Sequence, residues 1–453
     1  MLCTECLLQP STFLAGGSFV AMLKLSGISL TAVIIGVGCV YLLALKILSY
    51  NHSLASLEGY PSRKDIAAQW PLASNTTTPL FKPPLHTQGR YILDSSGARV
   101  KLASVNWYGA SDEHFIPGGL DVQHRQDIAT TIRRLGFNSV RLPYADEMVR
   151  KNPTINPELL VANADLVGSR ALDVFHAVVD ALTDAGLAVI INNHITRARW
   201  CCDGNLCDAA WSNDYLGPLC TVSQTEDEWV ENWETIMRPH VRNPFVVGVD
   251  LRNEVRSPWG RFTWYSWATA AEKAAGRLLH MQPDWLIIVE GVQSANDISG
   301  ARLRPIELTI PNRLVYSAHV YGWSGWGSLS PYWKRSYDSF VADMEHNWAY
   351  LLAEDIAPVW IGEIGVPEVP NQGDLHYWKN LIRYLKECDA DFGYWAINPR
   401  KPRENELETY SLVEDDWKTP KYDYRLHDMA DLVRSSTKGS KKANGYAGMG
   451  LNG

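Results

Sequence analysis

From about residue 100 onward the chain alternates between two hydrophobic patterns. Short, nearly continuous apolar runs rich in Val, Ile and aromatic residues recur between longer stretches whose apolar positions fall three and four apart. The short runs predict strands buried on both faces, and the longer stretches predict amphipathic helices. Eight strand candidates result: 101–108, 138–144, 188–194, 246–254, 286–291, 314–321, 358–365 and 392–398. Among the helical stretches, 170–185 places Leu172, Phe175, Val178, Val179 and Leu182 on one face. Two more, 341–354 and 374–388, precede the seventh and eighth strands. Strands alternating with helices imply a parallel sheet with crossover connections. Eight such units predict an α/β fold, a (β/α)8 barrel over residues 85–434. A doubly wound open sheet is the alternative, but it requires an early Gly-rich phosphate turn, which this sequence lacks.

Several of these strand candidates end on groups that carry chemistry. The run Val246-Val247-Gly248-Val249 leads into Asp250-Leu251-Arg252-Asn253-Glu254, and Pro358-Val359-Trp360-Ile361 leads into Gly362-Glu363. In a barrel of this kind the C-terminal strand ends form the active-site rim. Two glutamates converging there are the equipment of a glycosidase, one acid/base and one nucleophile. The other strand ends add Arg141, His194, His319, Tyr321 and Trp395. An Arg and a Tyr hydroxyl that favour the ionised carboxylate suit Glu363 as nucleophile. A second carboxylate nearby favours a protonated acid, which suits Glu254. Asn253 is placed to hold a sugar 2-hydroxyl, and Trp395 to floor the subsite of the scissile sugar.

Composition supports this reading. The chain has 453 residues, 46% of them hydrophobic, enough for a large core. A net charge of −8 without a basic stripe argues against a nucleic-acid partner. The 18 tryptophans exceed ordinary packing needs, and Trp107, Trp200, Trp211, Trp259, Trp323, Trp326 and Trp395 fall in the expected rim loops, where indole faces can stack on sugar rings. The histidines form no His-Glu-x-x-His zinc motif, and no metal is expected.

Arg141, His194, Asn253-Glu254, His319, Tyr321, Glu363 and Trp395, in this order on these strands, resemble the set of eight shared by glycoside hydrolase family 5, the cellulase family of clan A. The resemblance spans roughly residues 85 to 430. The segment Trp200-Cys201-Cys202-Asp203-Gly204-Asn205 after the third strand resembles a plant and fungal, cellulase-like branch. The resemblance implies a retaining enzyme without cofactor, with Glu254 as acid/base and Glu363 as nucleophile. It implies a β-glucan oligo- or polysaccharide substrate, with mannan and lipid glucosides as the family's other options. A membrane-held, non-catalytic sugar-binding barrel is the reading from another class.

Cys201, Cys202, Cys207 and Cys220 crowd one rim loop. Two disulfides are expected, with Cys201 and Cys202 each joined to Cys207 or Cys220, because adjacent cysteines do not readily pair. Zinc is the alternative, but paired Cys-x-x-Cys spacing is absent.

The N-terminal region differs in character. Residues 27–49 carry no charge before Lys46 and are long enough to span a bilayer as a transmembrane signal-anchor. The expected organisation is a short cytosolic segment (1–26), the anchor (27–49), a stalk (50–84), the barrel (85–434) and a disordered tail (435–453). Counting positive charges alone would keep the barrel cytosolic. The cysteine cluster and the sequons at Asn51 and Asn75 favour a single-pass protein with its barrel lumenal or extracellular. Secretion after cleavage near Ala55 is the alternative.

Overall fold

The computed structural model describes residues 54–70, 80–202, 204–257, 260–324, 331–402 and 405–437. All eight expected strands form. They are β1 (Ala103–Asn106), β2 (Ser139–Ala145), β3 (Ala188–Ile195), β4 (Val246–Asp250), β5 (Leu286–Glu290), β6 (Leu314–Val320), β7 (Val359–Ile364) and β8 (Asp391–Tyr394). Each is parallel to its neighbours, and β8 pairs back onto β1, so the sheet closes into a barrel. Closure explains the continuous apolar runs, since every strand is covered by helices outside and by side chains inside. Phe81, Leu85, Ile92, Ile190, Val247, Ile288, Val315 and Trp360 fill the end of the interior nearest the strand starts. Nearer the mouth, Gly362 on β7 allows close packing: a Cβ would lie 2.9 Å from the Ser317 hydroxyl and 3.2 Å from Nε2 of His319.

The covering helices are α1 (Arg125–Arg134), α2 (Ala171–Asp184), α3 (Glu226–Met237), α4 (Trp264–Met281), α5 (Tyr337–Met344), α6 (Gln372–Cys388) and α7 (Tyr424–Thr437). Local sequence sets several starts. Thr225 caps α3, accepting from the Glu228 N–H while the Glu228 carboxylate accepts from the Thr225 N–H, and Asn371 with Asp374 does the same for α6. The helix expected over 341–354 starts earlier, at Tyr337, because Ser336 caps it there, and it continues through a wider turn, Glu345–Ala349.

Part of the expected stalk is instead folded against the barrel. A short helix, Arg63–Ala67, presents Ile66 to the main core, and Trp70 joins it there. Tyr60 donates to Asp428 on α7 at 3.0 Å, and Arg63 pairs with Glu368 at 2.6 Å. The reason is burial of the two apolar anchors, which a polar stalk would leave in water. Residues 80–93 also belong to the barrel, with an antiparallel hairpin, His86–Gln88 and Tyr91–Leu93, preceding β1.

Among the described residues no helix is long and apolar enough to cross a membrane. The expected anchor at 27–49, the sequons at Asn51 and Asn75, and 438–453 of the expected tail lie outside the described residues.

Candidate active site

Arg141 is the hub of the barrel mouth. It is fully buried, and each of its N–H groups meets an acceptor. Nε donates to Asp250 at 2.8 Å, Nη1 to Asn106 at 3.0 Å and to Glu363 at 2.5 Å, and Nη2 to Asn253 at 2.7 Å and to Glu290 at 2.9 Å. A guanidinium has five donors in a rigid fork, and all five are used. Lysine, with three donors on one nitrogen, cannot reproduce this set. Burying so many charges is tolerable only because they are mutually paired.

Glu363 is held from both sides. Arg141 takes one carboxylate oxygen, and the Tyr321 hydroxyl donates to the other at 2.8 Å. Burial, then the Glu363 charge, push the Tyr321 hydroxyl well above its ordinary range, so it remains a donor. Glu254 lies just past the end of β4, with a left-handed backbone (φ 47°) that non-glycine residues adopt uncommonly. Its N–H donates to Glu290 at 2.7 Å, and its carboxylate lies 3.1 Å from Nδ1 of His319. Glu254, His319 and Glu363 each place one ligand-type atom within 4.8 Å of the others. Such a cluster has the spacing of a metal site, but the Arg141 cation already on Glu363 opposes a second cation. The spacing suits a carboxylate pair flanking one reacting atom.

An aromatic floor lies beside the carboxylates. Trp395 stacks on Tyr108 (centroids 4.9 Å apart) and on His194 (5.5 Å), and Trp200 meets it edge-on at 6.2 Å. His194 receives a hydrogen-bond partner in Asn192, 2.9 Å from Nδ1. Burial, then the Arg141 charge, push its pKa well below the usual histidine range, so it is a neutral ring. Trp323 stacks on Tyr321 at 4.5 Å, meets Tyr410 at 6.3 Å and stays 44% exposed.

The eight residues expected at the strand ends therefore converge on one mouth. Residues 93–401 match the sequence profile described as Cellulase (glycosyl hydrolase family 5). The chain belongs to that family. It is a glycosyl hydrolase. An endoglucanase of Paenibacillus polymyxa is 28% identical over 360 residues, covering 75% of this chain and 85% of its own length. A glycosyl hydrolase 5 family protein of Chamaecyparis obtusa is 29% identical over 395 residues, covering 79% and 67%. The solved endocellulase of the archaeon Pyrococcus horikoshii shares the fold, with a TM-score of 0.65 at 23% identity over 79% of this chain and all of that one. So does the catalytic domain of the major endoglucanase of Xanthomonas campestris pv. campestris, with a TM-score of 0.64 at 24% identity, covering 79% of this chain and 100% of that one.

Within this family 5 barrel three expectations need correction or addition. Cys207 pairs with Cys220, and Cys201 pairs with its neighbour Cys202, rather than each joining the far pair. The fold decides this: Cys207 and Cys220 sit on facing turns with Cα atoms 5.5 Å apart, within ordinary disulfide reach. Cys201 and Cys202 instead lie against Asn253, whose Nδ2 is 3.6 and 3.5 Å from their sulphurs. Of the tryptophans expected at the rim, Trp107 and Trp211 are core residues, and Trp259 and Trp326 lie outside the described residues. Glu290, Asp250 and Asn106 were not singled out from the sequence, yet all three bond Arg141 directly. The signal was present for Glu290, because the run Leu286-Ile287-Ile288-Val289 ends on it just as other apolar runs end on Glu254 and Glu363.

Proposed function

We propose that the protein hydrolyses a β-glucan by double displacement with retention of configuration, Glu363 acting as nucleophile and Glu254 as acid/base. The observation that carries this reading is the pair of carboxylates with oxygens within 4.8 Å. Retaining glycosidases hold theirs about 5 to 5.5 Å apart, and inverting ones leave about 6.5 Å or more for a water. In the first step a Glu363 oxygen bonds to the anomeric carbon, the bond to the leaving oxygen breaks, and Glu254 gives that oxygen its proton. In the second, Glu254 takes a proton from water as the water oxygen displaces Glu363. Arg141 and Tyr321 receive the charge that returns to Glu363 at each departure, a preorganised electrostatic role. Asn253, with its Oδ1 fixed by Arg141 and its Nδ2 against the Cys201 and Cys202 sulphurs, is held beside Glu254, where a sugar 2-hydroxyl would meet its amide. His194 and Trp395 line the ring's apolar face.

A gluco-configured substrate is supported by the relatives named as endoglucanases, and by a complex of the Pyrococcus horikoshii endocellulase with cellotetraose. The Trp200-Cys201-Cys202 segment supports placement in the plant- and fungal-like branch. We also propose that residues 27–49 anchor the chain and hold the barrel on the non-cytosolic side. The disulfides that the loop after β3 forms support that side. Protease protection of the barrel in intact microsomes tests it; full digestion there would reverse the topology.

Substitution tests the chemistry. Glu363→Ala should abolish turnover, with azide restoring a product of inverted configuration. Glu254→Ala should lower kcat on cellotetraose about 10²- to 10⁴-fold yet spare the first step on activated aryl glycosides. Full activity in either variant, or mannan cleaved far better than every glucan, would contradict the proposal.

A further inference from the structure

Glu290 ends β5, is fully buried, and takes no part in the steps above. One of its oxygens accepts from the Glu254 N–H at 2.7 Å and the other from Nη2 of Arg141 at 2.9 Å. Nε2 of His319 lies 3.5 Å from that second oxygen. Burial, then the Asp250 charge, push the Glu290 carboxyl well above its ordinary range, against the pull of His319, Arg141 and the Glu254 N–H. Both of its oxygens nonetheless face donors, an arrangement an amide cannot match, because its NH2 would confront one of them. The N–H that Glu290 holds belongs to the residue whose left-handed backbone aims the acid/base into the cleft. The ring it borders makes the other hold on Glu254, with Nδ1 of His319 at 3.1 Å from the carboxylate.

We infer that Glu290 is a positioning residue for the acid/base, pinning the Glu254 backbone through its N–H and orienting the His319 ring that hydrogen-bonds the Glu254 carboxyl. The inference rests on Glu254 serving as acid/base. It also bears on the proton of the ring between them. His319 faces Glu254, Glu290 and, at 3.8 Å, Glu363, with Arg141 and His194 as the opposing neighbours and Asp250 beyond Glu290. Burial pushes the His319 pKa down, but the charges of Glu290 and then Glu363, with the Glu254 hydrogen bond, lift it to about 9. The His319 ring thus holds its proton more tightly than a free imidazole, with Nδ1 facing the Glu254 carboxyl.

The full chain carries the test. Glu290→Gln keeps the size and removes the charge. It should lower kcat/KM on cellotetraose at least about 10-fold, while an activated dinitrophenyl cellobioside, whose leaving group needs no proton, loses less than about threefold. The His319 titration midpoint, read from labelled histidine by NMR, should fall by about one unit or more, and Glu290→Asp, which keeps the charge, should restore much of it. Equal losses on both substrates, or an unmoved midpoint, would overturn the inference. Glu254→Ala is the control. If it too fails to separate the two substrates, the acid/base assignment falls and the positioning role with it. If Glu254→Ala separates them and Glu290→Gln does not, only the positioning role falls.

Discussion

Each oxygen of Glu363 has one protein donor, Arg141 on one and the Tyr321 hydroxyl on the other. A hydrogen bond to a charged group contributes about 1.5 to 3 kcal/mol, and each 1.36 kcal/mol is tenfold in rate. Tyr321→Phe should therefore lower kcat/KM about 10- to 100-fold without loss of fold, since the ring still packs against Trp323. Steady-state kinetics with a thermal melt checks this, and wild-type kcat/KM would mean that the hydroxyl is idle. His319 also links the site to stability. Its pKa is about 9 in the folded chain, above the ordinary 6.5, so its proton is bound more tightly when folded. That contribution is fully present below about 6.5 and is lost as pH rises through about 9.

At the scale of elements, the eight strands were legible because each is buried on both faces and reads as an unbroken apolar run. Glu254 and Glu363, the pair proposed to act on the sugar, were legible because a carboxylate that ends such a run is conspicuous. Glu290 was missed although it carries the same signal, because it fits no role that contacts a sugar. The disulfide partners were not legible, since pairing depends on how the loop after β3 folds back, and sequence spacing does not encode that. The hairpin before β1 was also missed, being only three residues a side. One contact between elements gives a pH prediction. His176 on α2 lies 2.9 Å from His240, in the turn leading to β4. Burial pushes His176 down to about 4, and burial with the His176 charge pushes His240 down to about 3. Unfolding lets both rings take protons, so this pair loses stability as pH falls below about 6.5. Urea unfolding of wild type and of the His176→Gln/His240→Gln variant should show the wild type losing stability relative to the variant as pH falls from 6.5 toward 3, and a constant difference would contradict it.

On the scale of the whole molecule, the barrel brings side chains from β2 through β8 to one mouth, with Arg141 linking β1, β2, β4, β5 and β7 or the segments just after them. The same chain that folds residues 55–70 onto the outside of this barrel leaves its mouth lined by aromatic rings and two close carboxylates. The central claim is that those carboxylates work by double displacement, and the anomer first released reports it directly. Proton NMR during the first minutes of cellotetraose hydrolysis, before mutarotation equilibrates the product, should show the β-anomer accumulating. The α-anomer appearing first would mean that a water attacks across a wider gap, and the roles assigned to Glu254 and Glu363 would be wrong.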